Sequence, residues 1–327
     1  MAKPKVLVTR RLPQPGLDLL APHVDMTVNP HDRVMTREEL VTGVADVEGL
    51  LCLLTDTIDA EIMAAAPKLR GISNYAVGFN NIDVAEATRR GLPVSNTPGV
   101  LTDTTADLAF TLIMATARRI VEADKFTREG KYEGWGPMLF LGADVYGKTL
   151  GLVGLGRIGS AVAKRAHGFD MKVLYFDERR LPEAEERALG VTFTPFAELL
   201  AKSDFISLHV PLLPSTHHLI GQAQFEMMKK TAILVNTSRG PVVDEKALVQ
   251  ALKSGRIGGA GLDVFEEEPK LAPGLAECWN AVIVPHIASA SIETRTKMAE
   301  MAAVNLLAML EGRVPENIVN PEVYDKK

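Results

Sequence analysis

Residues 149–159 read Thr-Leu-Gly-Leu-Val-Gly-Leu-Gly-Arg-Ile-Gly, and no other stretch restricts the fold as tightly. Gly154-x-Gly156-x-x-Gly159 follows an aliphatic strand pattern and opens a helical one, Ala161–Ala166. Each glycine answers a separate demand: a tight turn at the first, close backbone approach to a pyrophosphate at the second, helix-on-strand packing at the third. Free N–H groups and the positive end of the helix dipole then face the phosphates. Three glycines alone also mark an ordinary turn. Here a second strand ends at Asp177, 18 positions past Gly159, where a carboxylate accepts from a ribose 2′-hydroxyl. The reading is a βαβ unit for a dinucleotide. Asp177 favours NAD(H), because it would repel a 2′-phosphate. Arg179 and Arg180 keep NADP(H) open as guanidinium ligands for that phosphate, or are solvated loop charges.

The rest of the sequence repeats the same alternation of strand and helix, the pattern of parallel α/β units. Strands are expected at Lys5–Thr9, Val24–Val28, Leu50–Leu54, Leu69–Asn74 and Leu92–Ser95, with helices such as Asp59–Ala66 and Asp83–Arg90 between them. One long buried helix is expected from Thr102 to about Arg128, followed by a loop holding Gly130, Gly134, Trp135, Gly136, Pro137 and Gly142. A second series has strands at Thr149–Val153, Lys172–Phe176, Val191–Phe193, Phe205–Leu208, Ala232–Val235, Gly259–Val264 and Val282–Val284, and a last helix at Ile292–Glu311. A length of 327 residues fits two domains, and with no flexible linker they are expected to share helices.

Composition excludes several classes. The apolar share of 46% and charged share of 24% are globular, and a net charge of −5 without a basic stripe argues against a nucleic-acid partner. No apolar run approaches the roughly 18 residues of a membrane span, and the first residues run straight into a strand without a secretory leader, so the expectation is a cytoplasmic protein. Cys52 and Cys278 give neither a disulfide framework nor a metal spacing; Cys52 reads as core, and no metal site is expected.

Three more segments place polar residues where a strand ends, the ligand-facing edge of an α/β sheet. They are Asn236-Thr237-Ser238-Arg239-Gly240, then Asp263-Val264-Phe265-Glu266-Glu267-Glu268-Pro269, then Pro285-His286-Ile287-Ala288. Singly, Arg239 reads as a surface charge, Glu268 as part of an acidic run and His286 as a core histidine. In this order, and with Asn74–Asp83 and the glycine loop upstream, they resemble the D-isomer-specific 2-hydroxyacid dehydrogenases, with the nearest look that of glyoxylate and hydroxypyruvate reductases. The resemblance covers essentially the whole sequence.

What it implies is an α/β fold with a Rossmann dinucleotide-binding domain, 101–287, inserted into a flavodoxin-like substrate domain of 1–100 plus 288–327. Arg239, Glu268 and His286 match the family's catalytic residues. His286 would exchange a proton with the substrate oxygen, Glu268 would favour and orient the charged imidazole, and Arg239 would hold carboxylate and carbonyl. The cofactor would lie on Gly154, Leu155, Gly156, Arg157, Ile158, Gly159, Asp177, Val210, Pro211, Thr237, Ser238, Arg239, Asp263, His286 and Ala288, with Asp263 accepting from the nicotinamide amide. Substrate would meet Leu54, Tyr75, Val77, Gly78, Arg239 and His286, the backbone N–H groups of Val77 and Gly78 taking its carboxylate. The bulk of Leu54, Tyr75, Trp135 and Met138 is expected to close the pocket around two or three carbons. The expected assembly is a homodimer built on the long helix and the loop around Trp135. Ala288 stands where the family usually has glycine, no lysine lies in Asn74–Gly78 as in phosphite dehydrogenases, and no C-terminal regulatory domain is expected. Two alternatives stay open: a D-2-hydroxyacid dehydrogenase for lactate or a longer keto acid, and an NAD(H)-sensing corepressor-like interaction protein.

Overall fold

Residues 2–325 are described by the computed structural model. It begins with β1 (Lys5–Val8), α1 (Gln14–Leu20), β2 (Asp25–Val28), α2 (Arg37–Val44), β3 (Gly49–Leu53), α3 (Ala60–Ala65), β4 (Gly71–Tyr75), α4 (Val84–Arg89) and β5 (Val94–Ser95). There follow α5 (Thr102–Ala117), α6 (Ile120–Arg128), β6 (Thr149–Val153), α7 (Arg157–His167), β7 (Lys172–Phe176), α8 (Glu183–Leu189), β8 (Val191–Phe193), α9 (Phe196–Lys202) and β9 (Phe205–Leu208). The remainder is α10 (Gln222–Met227), β10 (Ile233–Asn236), α11 (Glu245–Lys253), β11 (Gly259–Leu262), β12 (Ala281–Ile283) and α12 (Ile292–Leu310). Two compact units result, Met1–Leu101 with Ser289–Lys327, and Thr102–Ala288.

The first unit holds one parallel sheet in the order β2-β1-β3-β4-β5. That 2-1-3-4-5 order is the flavodoxin-like arrangement. Both faces are covered, which is why β3 reads as an unbroken apolar run and β4 is buried along its whole length, Ser73 and Asn74 included. Leu50 and Ile72 pack into one core, and Val6, Leu51 and Leu306 into the other. Its helices start on side chains that take orphan N–H groups: Asp59 accepts from Glu61 and Ile62, Asp83 from Glu86, and Ser291 from Thr294. Cys52 is buried in this unit's core, as its apolar surroundings suggested.

The second unit holds a seven-stranded parallel sheet, β12-β11-β10-β9-β6-β7-β8. Counted from β6, its order reverses between β6 and β9, the doubly wound pattern with a crevice at the switch point. The register Gly151↔Ile206 and Val153↔Leu208 aligns the ends of these two strands, so the residues after them share one edge.

The long helix expected from Thr102 to Arg128 is two helices. Ala117 ends the first because its carbonyl accepts from Ala143 N–H at 2.8 Å, and Arg119 turns left-handed at φ 54° before α6 begins. Among the described residues no helix is long and apolar enough to cross a membrane.

Candidate active site

At the end of β6 the backbone turns on Gly154, whose φ of 93° lies in the left-handed region; a Cβ there would stand 2.8 Å from the His209 carbonyl. A Cβ on Gly159 would stand 2.3 Å from the Gly154 oxygen, so these two glycines are demanded by the fold itself. Gly156 differs: nothing lies within 4 Å of where its Cβ would be, and it opens α7 with no side chain taking the helix's first N–H groups. That open face suits an anion. Asp177, the residue after β7, accepts from Leu155 N–H at 2.8 Å through one oxygen and from Arg179 N–H at 3.2 Å through the other. It braces the glycine loop while staying half-exposed. Arg180 pairs with Glu186 at 2.8 Å and lies over the Phe193 ring, which occupies its guanidinium within the protein; Arg179 is exposed. Thr237, after β10, has a buried hydroxyl with no partner among the described residues. Orphan hydroxyls of this kind are costly, and a ligand is one way to satisfy them. Open Gly156, half-exposed Asp177 and orphan Thr237 fit the dinucleotide that the fingerprint implies.

Val210 is half-buried and Pro211 exposed, just past β9. Between them and the strand stands His209, a residue absent from the expected site although the rule of polar residues at strand ends reaches it. Burial pushes its imidazole down to about 4, so it is neutral at physiological pH, and its Nε2 meets Ser207 Oγ at 2.9 Å.

Arg239, Glu268 and His286 come from three successive strand ends of the second unit. Asn236, buried at the end of β10, shapes the first: its amide donates to the Arg239 carbonyl at 2.9 Å, and its oxygen accepts from Ser238 N–H at 3.0 Å and Ser238 Oγ at 2.8 Å. The Arg239 guanidinium is half-buried and donates to the Ser238 carbonyl at 2.7 Å. Burial lowers its pKa and the nearby Glu268 charge offsets part of this, yet a guanidinium stays protonated. His286 sits at φ 52°, an uncommon conformation for a residue with a side chain. What holds it there is Asp263, whose carboxylate accepts from Ile287 N–H at 2.6 Å and Ala288 N–H at 2.9 Å while its backbone oxygen accepts from His286 N–H at 2.9 Å. In this geometry His286 Nδ1 meets Glu268 Oε2 at 2.9 Å, and Glu268 Oε1 accepts from Phe265 N–H at 3.0 Å. Burial would raise the Glu268 carboxyl, but the hydrogen bond and charge of His286, the Phe265 N–H and Arg239 outweigh it and hold it below its ordinary value. With Nδ1 committed to a carboxylate, Nε2 is the ring nitrogen without a partner among the described residues.

Asp263 is fully buried, and each of its oxygens accepts from a backbone N–H, so it positions His286. Burial raises its pKa, against the pull of Ile287 N–H and His286.

In the first unit, the loop after β4 presents backbone. Asn74 donates to the Gly78 carbonyl at 2.9 Å and Asn96 to the Val77 carbonyl at 2.7 Å. The N–H groups of Val77 and Gly78 find no acceptor among the described residues. Thr97, beside them through its N–H to Ala76 O at 2.8 Å, has a buried hydroxyl without a partner; it too lies outside the expected site although it follows a strand end. Leu54 is exposed at the end of β3. Tyr75 is not a pocket wall: its side chain is in the unit's core and its hydroxyl donates to the Arg295 carbonyl at 2.8 Å. Trp135 and Met138 do not close a pocket within one protomer either; they stand 83% and 76% exposed on the loop after α6.

Residues 110–288 match the model of the D-isomer specific 2-hydroxyacid dehydrogenase NAD-binding domain. The glyoxylate reductase of Korarchaeum cryptofilum is 56% identical over 324 residues, covering 98% of this chain and 97% of that one. Among solved structures, a glyoxylate reductase from Paecilomyes thermophila superposes with a TM-score of 0.86 at 33% identity over 100% of both chains. An NADPH-dependent glyoxylate/hydroxypyruvate reductase from Sinorhizobium meliloti, in complex with NADP and malonate, gives a TM-score of 0.86 at 32% identity over 98% of each. The chain thus has full-length counterparts, and the protein belongs to the D-isomer specific 2-hydroxyacid dehydrogenase family.

Proposed function

We propose that the protein reduces a small 2-keto acid, glyoxylate or hydroxypyruvate, to the D-2-hydroxy acid, and runs the reverse oxidation. The observation that carries this reading is the 2.9 Å contact of His286 Nδ1 with Glu268, which leaves Nε2 available for a substrate oxygen. A nicotinamide dinucleotide, when bound, supplies the hydride. The residues that would hold it are the Gly154–Gly159 turn, Asp177, Val210, Pro211, Thr237 and Ser238, with Arg239, His286 and Ala288 beside the reacting end.

As charge grows on the carbonyl oxygen, His286 releases the Nε2 proton to it; in oxidation the same nitrogen takes the proton back. Glu268 stays ionised, fixes the ring through Nδ1 and balances the imidazolium. Arg239 neutralises the substrate carboxylate and polarises the carbonyl, a fork that a lysine would not reproduce. The N–H groups of Val77 and Gly78, which find no acceptor among the described residues, are assigned to a substrate carboxylate. Asp177 makes NADH the preferred reductant, a reading favoured by the ion pair that engages Arg180. Homodimerisation through the exposed Trp135 loop, with Tyr132, Leu141 and Tyr146 also exposed on it, would bury a surface that is otherwise too apolar for solvent.

The test is oxidation of NADH and of NADPH by wild type with glyoxylate, hydroxypyruvate, pyruvate and phosphohydroxypyruvate in turn. Turnover of the first two with NADH is expected. A strong NADPH preference would overturn the role of Asp177, and faster turnover of pyruvate would overturn the substrate assignment.

A further inference from the structure

Outside the catalytic corner, the second unit brings two imidazoles and a carboxylate together at its surface. His217 and His218 are sequence neighbours, and neighbours in extended backbone send their side chains apart. Here His218 adopts a left-handed φ of 50°, and the two rings lie side by side with centroids 4.1 Å apart and 31° between their planes. The turn is braced rather than loose: Thr216 Oγ1 accepts from Leu213 N–H at 2.8 Å, and His218 N–H donates to the Pro241 carbonyl at 2.8 Å. Glu266 reaches this turn from 48 residues further on, its Oε1 2.6 Å from His218 Nε2. Its other oxygen accepts from Glu245 N–H at 3.2 Å, and its own N–H donates to Glu245 Oε1 at 2.8 Å, which fixes its direction.

One nitrogen from each histidine and one oxygen of Glu266 lie within 4.8 Å of one another. A plain His218–Glu266 ion pair would use one ring and leave His217 unexplained. Two imidazoles and one carboxylate with open positions for water are a donor set that zinc takes, at about 2.0–2.2 Å per ligand, and imidazole also suits copper and nickel. Seating an ion asks His218 and Glu266 to part by under about 1 Å, within the reach of side-chain rotation at an exposed site. We propose that His217, His218 and Glu266 form a surface site for a divalent transition-metal ion, zinc first among them, distinct from the dehydrogenase chemistry. Binding would exchange any imidazole proton for the ion and tie the 213–218 turn to the segment carrying Glu266.

The experiment is calorimetric titration of the metal-stripped full-length protein with zinc, repeated with cobalt while its visible bands are recorded. One ion per protomer is expected. His217→Ala, which removes an exposed ring, and Glu266→Gln should each weaken zinc binding about tenfold or more, with an unchanged circular dichroism spectrum. His286→Ala should bind zinc as wild type does, which separates this site from the catalytic histidine. Equal affinity in wild type and His217→Ala, loss of the ion in His286→Ala, or no saturable binding would each overturn the proposal. None of these readouts depends on the keto-acid reaction, so failure of that reading and failure of this one are told apart.

Discussion

The turn that carries His286 is organised by a buried carboxylate, whereas the loop that carries Val77 and Gly78 is organised by neutral amides. Asp263 collects the N–H groups of Ile287 and Ala288, and the product of that arrangement is a fixed side chain. Asn74 and Asn96 instead take the carbonyls of Gly78 and Val77, and the product is a pair of outward N–H groups. Charge explains the choice. Charge-assisted bonds are the stronger kind and hold an imidazole in an uncommon backbone conformation. A carboxylate beside Val77 would repel the anion those N–H groups are assigned to receive, and an asparagine does not.

If that contrast is right, removing the fixed side chain has the largest effect. His286→Ala should lower kcat for glyoxylate reduction by about 10²–10⁴, the worth of a positioned general acid, while cofactor affinity measured by fluorescence titration is retained. Residual activity within tenfold of wild type would shift proton transfer to another group. Next comes the brace. Asp263→Ala strands two backbone N–H groups, each worth about 1–3 kcal/mol when buried and unsatisfied, so Tm should fall and kcat should fall with it. A variant with normal Tm and normal kcat would show that His286 holds its conformation unaided.

Glu268→Gln sharpens the same side of the comparison. Reduction needs a proton on Nε2, and the carboxylate at 2.9 Å from Nδ1 fixes the ring that carries it. Without that anchor kcat for reduction should fall by about tenfold or more at saturating cofactor. The stability sign is separate: because the Glu268 carboxyl is held below its ordinary value, its contribution is present above the ordinary carboxyl range and is lost as pH falls through the lowered one. An unchanged kcat would remove Glu268 from the proton-transfer pair.

How much of this was legible in the sequence follows from what each feature asks of the backbone. Gly154 and Gly159 could be read because only glycine meets their backbone demands, and Asp177 because its spacing from them is fixed by one helix and one strand. Arg239, Glu268 and His286 could be read from their order at strand ends. The break between α5 and α6 could not, because the group that captures the Ala117 carbonyl is Ala143, 26 residues later. The bracing role of Asp263 was equally hidden: a sequence shows an acidic residue but not which N–H groups fold back onto it. The meeting of His217 and His218 with Glu266 was hidden as well, because it depends on the left-handed turn at His218 and on a carboxylate 48 residues further along the sequence.

Breaking the backbone-presenting side costs less. Asn96→Ala removes one amide that holds the Val77 carbonyl, a bond worth about 0.5–1.5 kcal/mol, so KM for the keto acid should rise by roughly two- to tenfold with kcat nearly unchanged. A fall in kcat at constant KM would mean that this loop acts on the chemical step rather than on carboxylate binding.

The smallest effect is expected at Tyr75, where the bulky residue expected at the pocket turned out to serve the core. β4 is buried on both faces, so alternation along Gly71–Tyr75 carries no information about which side chain meets ligand, and bulk alone suggested a wall. In the fold its ring lies with Val8, Leu51 and Met298, and burial pushes the phenol up to about 12, so the hydroxyl stays protonated and donates to Arg295 O. Tyr75→Phe therefore deletes one hydrogen bond and leaves the packing ring in place. Stability should drop by about 1–3 kcal/mol if the Arg295 carbonyl is left dry, and by less if water reaches it. KM and kcat for glyoxylate should both stay within twofold of wild type. A tenfold rise in KM at unchanged Tm would return the Tyr75 hydroxyl to the substrate, and the contrast between a side-chain-presenting and a backbone-presenting turn would then fail on its second half.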